Sequence, residues 1–182
     1  MEHHDYERAG KLRDQYIPYE DIENMVNPKD GDILVDFGSG DGFYSLKFAP
    51  LVGSGKIYAY ELNNRGIDAI RKKLADRGIG NVEIVEKDIC YAPLPERFNK
   101  AFFSNVFHDL DCQDTLLFRF SGVKNLEITF IEFKIDTPFG PPENIRFSQQ
   151  KLREKLETHG FVLDSEIEFE YHYAHRYKRK SN

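Results

Sequence analysis

Apolar and polar residues alternate along the chain in two rhythms that take turns. Residues 33–37, Ile-Leu-Val-Asp-Phe, form a nearly continuous apolar run, as a strand buried on both faces of a parallel sheet requires. Residues 56–61, 82–86, 100–104 and 126–133 carry the same kind of pattern and predict four further strands. Between the first two runs, residues 42–51 read as a helix, with Pro50 breaking its end. Residues 64–77 read as another, because Ile67, Ile70 and Leu74 share one face and Gly78 suits the left-handed cap position. Phe147 and Ser148 open a last helix reaching about His159, with Gly160 after it. Residues 161–169 and 171–178 predict two closing strands. Repeated strand–helix units imply an α/β fold: a doubly wound, mostly parallel seven-stranded sheet with right-handed crossovers. The two consecutive strands at the end suggest an antiparallel C-terminal hairpin.

Ahead of this pattern, residues 6–16 are charged and helix-permissive, and Pro18 interrupts them. Residues 19–26 carry a short helical stripe at Ile22, Met25 and Val26, and residues 27–32 form a turn cluster. Residues 1–30 are therefore expected to be an N-terminal helical lid segment, with Tyr16 and Tyr19 near a ligand. Residues 31–182 form the main unit of what is one globular domain overall, since 182 residues suit a single domain.

Composition narrows the function more than the fold. The formal net charge is −6, and only the tail, with Arg176, Lys178, Arg179 and Lys180, is basic. A solvated terminal strand explains that run, and the acid balance argues against a general nucleic-acid binder. No apolar run is long enough to span a bilayer. The polar, acidic start at Met1 is unlike a signal peptide. Cys90 and Cys112 lie far apart in sequence, make no disulfide framework, and fit a reducing, cytoplasmic setting.

In an open α/β sheet, ligands bind at the carboxyl ends of the strands. After the first strand come Asp36-Phe37-Gly38-Ser39-Gly40-Asp41-Gly42, where alternate glycines let backbone approach a ligand. A dinucleotide fingerprint would want a third glycine where Phe43 stands, and a phosphate loop would need Gly-Lys-Ser/Thr. Asp36 would repel a pyrophosphate yet suits a ligand carrying an ammonium group. Glu61, with Leu62 beside it, lies about 20 residues further on, where an acid can accept ribose hydroxyls. Asp88 and Ile89 follow the third strand, where a carboxylate can meet an adenine amino group and an apolar side chain its ring. Each residue alone has a plain structural reading: a tight turn, an exposed strand-end acid, a turn aspartate.

Together, in this order, these segments resemble the class I S-adenosylmethionine (SAM)-dependent methyltransferases, whose fold is Rossmann-like, and their small UbiE-like branch in particular. The stretch from Pro93 to Leu110, containing Asn105-Val106-Phe107-His108, looks like that branch's approach to and exit from the fourth strand, although Asn99 and Asp109 depart from its usual residues. The Leu-Lys-Pro-Gly-Gly segment usual before strand five is missing. The resemblance covers roughly residues 31–180. It implies SAM as cofactor, with Gly38, Ser39, Gly40 and Gly42 against the methionine part and Asp36 near its amino group. Glu61 and Leu62 would hold the ribose, Asp88 and Ile89 the adenine, while Asn105 and Phe107 would line the methyl-donor side.

For the acceptor, His108 is the candidate general base, since its ordinary pKa of about 6.5 suits proton removal near neutrality; a packing histidine is the bland reading. Arg146, near the proline-stiffened loop at 137–142, is available for an anionic substrate or simply solvated. No metal is expected: His172 and His175 are three apart on a strand and point to opposite faces, and His3 and His4 sit in a terminus. A small-molecule acceptor is the leading expectation. A non-catalytic SAM sensor, a methyltransferase acting on a macromolecule, and a dinucleotide oxidoreductase are its rivals.

Overall fold

The computed structural model describes Gly10, Arg13 and residues 15–180. His3, His4 and most of the 6–16 stretch lie outside the described residues. Seven strands form one sheet in the order β3-β2-β1-β4-β5-β7-β6. They are β1 (Ile33–Phe37), β2 (Lys56–Tyr60), β3 (Val82–Val85), β4 (Lys100–Ser104), β5 (Glu127–Phe133), β6 (Phe161–Glu168) and β7 (His172–Arg179). The first five pair in parallel, and β7 runs antiparallel to both β5 and β6. The chain first builds outward from β1 to β3, then returns to the other side of β1 for β4. The carboxyl ends of β1 and β4 are therefore the switch point of the sheet, where a doubly wound fold opens a crevice.

The helices are α1 (Tyr19–Val26), α2 (Phe43–Val52), α3 (Asn64–Arg77), α4 (Gln113–Ser121) and α5 (Gln149–Thr158). α3 starts and stops as its pattern predicts. The Asn63 side chain accepts from Arg65 N, Ile67 and Ile70 are buried, and Gly78 closes the helix in the left-handed conformation. Pro50 does not end α2, which continues to Val52; a proline this close to a helix end costs little of the hydrogen-bond ladder.

Two apolar layers cover the sheet. Val35, Phe37, Phe103 and Phe130 point to one side and pack with α4 and α5. Leu34, Ile57, Phe102 and Ile131 point to the other and pack with α1 and α2. α1 is thus built into the core: Ile22, Met25 and Val26 are buried, and Arg176 Nη1 donates to Met25 O at 2.6 Å. Tyr16 stacks with Phe139 and meets Tyr171 edge-on, while Tyr19 packs against Phe43 and Phe48. Neither ring lines the ligand crevice. Of the expected lid segment, the described residue that reaches the crevice is Arg13.

The cysteines correct the sequence expectation. Cys90 and Cys112 are joined in a disulfide, 22 residues apart in sequence. The crossover from β3 to β4 contains no helix. It runs back across the ends of β2 and β1, and this delivers Cys90 to the start of α4.

Candidate functional site

The turn after β1 is held from three sides. Ser39 N donates to Tyr60 O at 2.9 Å, and Gly40 N donates to Glu61 Oε2 at 2.7 Å. Gly38 has φ +68°, and a Cβ there would stand 2.6 Å from Val106 Cγ2, a residue that follows β4. Glycine at this position therefore lets the first and fourth strand ends close on each other. Gly42, expected against the cofactor, has a packing role instead. It caps the start of α2, and a Cβ on it would meet Ile70 Cγ1 of α3 at 2.8 Å; it does not line the crevice.

Beneath the turn lies an acid. Asp36 is 2% exposed and accepts from Ser45 Oγ at 2.6 Å. Burial pushes its pKa up to about 7, against the pull of the Ser45 hydrogen bond, and the nearby charge of Glu61 adds to the rise. At the end of β4, Asn105 adopts a left-handed conformation, φ 54°, and its backbone N donates to Ile131 O at 2.8 Å. Its side-chain Oδ1 is buried with no protein partner. A buried acceptor without a donor is costly, so this oxygen marks a place where a donor belongs.

Glu61 leaves β2 with its carboxylate turned back on the chain. Oε1 accepts from Leu62 N at 2.9 Å and Asn63 N at 2.8 Å, while Oε2 accepts from Gly40 N alone. A carboxylate oxygen has more than one acceptor position, so Oε2 retains capacity for a hydroxyl. After β3, Asp88 Oδ1 accepts from Cys90 N at 2.8 Å, and the buried Ile89 packs into the core edge.

These groups surround one cleft of about 370 Å³, within the range of small-ligand sites. Of the cofactor-side residues expected from sequence, Asp36, Gly38, Ser39, Gly40, Glu61, Leu62, Asp88, Ile89 and Asn105 line it and Gly42 does not. Sequence reasoning missed Arg13, Lys87 and Asp109, which also line it. The Arg13 guanidinium lies 3.3 Å from the Phe43 ring centre and 4.0 Å from Asp41 Oδ1. No local pattern could have announced that long-range approach, whereas Asp109 was visible as an acid after the fourth strand.

The acceptor-side expectations fare differently. Phe107 is fully buried among Phe103, Phe130 and Phe147, so it is core and not a wall of the cleft. Arg146 is buried too. Its guanidinium donates to the backbone carbonyls of Lys134, Ile135, Thr137, Phe139 and Pro141, which commits it to folding the 134–146 loop rather than to an anionic substrate. His108 lies one layer behind the cleft. Its Nδ1 is 2.6 Å from Glu132 Oε2, and its Nε2 is 3.6 Å from Asp109 Oδ2. Burial draws the His108 pKa down, but the Glu132 hydrogen bond and charge outweigh it and the net shift is upward.

The buried Asp36 carboxylate, the unpartnered Asn105 Oδ1, the Glu61 carboxylate with acceptor capacity to spare, Asp88 and the apolar Ile89 could together hold an adenosyl group with an amino-acid tail. Comparison with known proteins agrees. Residues 34–122 match the family described as a methyltransferase domain. The ubiquinone/menaquinone biosynthesis C-methyltransferase UbiE of Teredinibacter turnerae is 35% identical over 68 residues, 36% of this chain and 27% of that protein. An uncharacterized methyltransferase of Anoxybacillus flavithermus is 32% identical over 111 residues, 60% of this chain and 49% of that protein. The matched stretch thus spans less than half the length of either relative. A SAM-dependent methyltransferase from Aquifex aeolicus shares the fold at a TM-score of 0.81 and 23% identity, covering 96% of this chain and 98% of that one. Magnesium protoporphyrin IX methyltransferase from Synechocystis, solved with bound SAM, does so at a TM-score of 0.64 and 14% identity, covering 83% and 71%. The fold is the one that these solved methyltransferases share. Over residues 34–122 the chain is similar to methyltransferases, UbiE proteins among them.

Proposed function

We propose that this protein transfers the methyl group of SAM to a small-molecule acceptor. The observation that carries this reading is the buried, unpartnered Oδ1 of Asn105 in a cleft that also holds the buried Asp36 carboxylate. When bound, SAM supplies a methyl group on a cationic sulfur, open to in-line displacement by a nucleophile. The protein's part is largely positioning and exclusion of water. Asp36 and Asn105 receive the ligand's ammonium group, and Glu61 Oε2 accepts from ribose hydroxyls. Asp88 and Ile89 hold the adenine, with Leu62 at the lip. Arg13 lines the cleft beside Asp41 and Phe43.

The acceptor enters beside Val106, Asp109 and Leu110, which line the cleft after β4. His108 serves proton removal from this side through its contact with Asp109, with Glu132 fixing the ring from behind. The names of the UbiE relatives make quinone-like rings the first acceptors to try.

Calorimetry with S-adenosylhomocysteine and transfer of labelled methyl from SAM to a panel of phenols, quinols and amines test the proposal. Binding, with label recovered in a small product, is the expected result. Glu61→Ala should weaken binding roughly 10- to 100-fold, as loss of charge-assisted hydrogen bonds does. Binding without transfer to any acceptor would favour the sensor reading. Label recovered in protein or RNA would favour a macromolecular acceptor, and binding of NADH in place of the adenosyl ligand would sink the proposal.

A further inference from the structure

We propose that the Cys90–Cys112 pair is a redox site that sets the affinity of the cleft for its adenosyl ligand. The inference rests on the SAM-binding reading above. Its ground is the position of the bond. Cys90 follows Asp88 and Ile89, which line the cleft after β3, and Asp88 Oδ1 holds the Cys90 N–H at 2.8 Å. Cys112 stands at the start of α4, where its carbonyl accepts from Leu116 N at 2.8 Å. Asp109 and Leu110, just before it, line the cleft after β4. In the sheet, β3 and β4 are separated by β2 and β1, so no strand ladder joins the two loops. The disulfide joins them covalently across the adenine end of the cleft.

Other contacts fasten the crossover further along. Arg119 Nη2 donates to Ala92 O at 2.9 Å, and the Tyr60 hydroxyl donates to Pro93 O at 2.6 Å. Those bonds leave the fold intact when the disulfide opens, while the turn carrying Asp88 and Ile89 gains freedom. Both cysteines are partly exposed, and Tyr91 between Cys90 and Ala92 is 87% exposed, so a reductant can reach the bond.

The step is thiol–disulfide exchange with a dithiol reductant. A thiolate of the reductant attacks one sulfur, the Cys90–Cys112 bond breaks, and a mixed disulfide forms. The reductant's second thiol then resolves it. Two electrons and two protons pass to the protein, Cys90 and Cys112 become thiols, and the reductant leaves as a disulfide. The oxidised cleft is preorganised for adenosine. The reduced cleft must order the Asp88 turn on binding, and that ordering weakens affinity.

The test is calorimetric titration of S-adenosylhomocysteine into the full chain, oxidised and then reduced with a dithiol. Free thiols are counted after unfolding each sample, and a thermal melt accompanies each titration. The oxidised sample should show no free thiol and the reduced sample a pair. Binding should weaken about three- to tenfold on reduction, with a cooperative melt retained in both. Cys90→Ser and Cys112→Ser should each match the reduced wild type and be insensitive to reductant. Equal affinity in the two states overturns the proposal while leaving the SAM-binding reading standing. So do free thiols in the protein kept from reductant under air, or loss of the cooperative melt on reduction, which would make the bond a structural staple. Absence of S-adenosylhomocysteine binding in both states overturns the SAM-binding reading and this proposal with it.

Discussion

On the β1–β3 side of the cleft, position is set by backbone groups close to the ligand. Ser39 N reaches Tyr60 O, Gly40 N reaches the Glu61 carboxylate, and the same carboxylate gathers Leu62 N and Asn63 N. On the β4–β5 side, position is set by ionisable side chains buried behind the surface. Arg146 collects five backbone carbonyls, and His108 faces Glu132 where neither side chain is more than 3% exposed. The first wall depends on short turns that glycine makes possible. The second depends on whether charged groups, once buried, keep their partners. Substitutions in the two walls should therefore fail in different ways: the first by losing ligand, the second by losing fold.

The largest effect is expected at Arg146. Arg146→Ala leaves several carbonyls of the 134–146 loop without their donor, and each buried acceptor left unsatisfied costs about 1–3 kcal/mol. Arg146→Lys should recover little, because a single ammonium cannot reproduce the guanidinium fork. Denaturant unfolding measures the loss. Titration of S-adenosylhomocysteine at low temperature, where the variant remains folded, should give an affinity near that of the wild type. If affinity falls as steeply as stability, the two walls are one unit and the contrast between them is wrong.

The same contrast explains what could be seen from sequence. β1, α3 and the glycine turn were legible because their determinants are local: an apolar run, a stripe ending at Gly78, a strand followed by alternate glycines. Asp36, Glu61 and Asp88 were legible by position, since parallel strands deliver their carboxyl ends to one crevice. Arg146 looked like a free cation because nothing in its neighbours says that the 134–141 loop curls around it. Phe107 looked like a cleft residue because a residue just after a strand end can turn either way, and the space beneath Phe103 and Phe130 took its ring. The disulfide was illegible for a topological reason. A sequence separation of 22 becomes a contact only because the β3–β4 crossover runs back over two strands. α4 did carry a signal: Leu116, Leu117 and Phe120 are its buried residues, and their spacing is helical.

The next effect sharpens the ligand-binding wall. Burial pushes Asp36 up to about 7, so the ligand-free protein holds a proton there more tightly than an unfolded chain does. By itself this makes the free protein lose stability as pH rises from the ordinary carboxylate range through 7. A bound ammonium group reverses the preference, because it favours the ionised carboxylate. Affinity for S-adenosylhomocysteine should then fall as pH drops below 7, by at most about tenfold per unit for one linked group. Titrations near pH 7 in buffers of different ionisation heat should show proton release on binding. Asp36→Asn should bind more weakly at pH 8 and show a flat profile. A wild-type affinity independent of pH between 5 and 8 would separate Asp36 from the ammonium.

The smallest effect concerns the other wall and tests whether Glu132 governs His108. Because Glu132 raises the His108 pKa against burial, protonated His108 contributes stability below its ordinary pKa of 6.5, and that contribution fades as pH rises through the folded value. In Glu132→Gln the carboxylate charge is gone while burial stays. The imidazole titration, followed by NMR, should move to below the ordinary value. The variant should lose about 1 kcal/mol relative to wild type where His108 is protonated and Glu132 ionised, the scale of one hydrogen bond, and less above the folded His108 value, where that contribution has faded. Adenosyl binding should be unaffected at either pH. Should the His108 titration stay where it is in the wild type, the charge of Glu132 does not hold the ring, and the acceptor side loses the group proposed to fix its base.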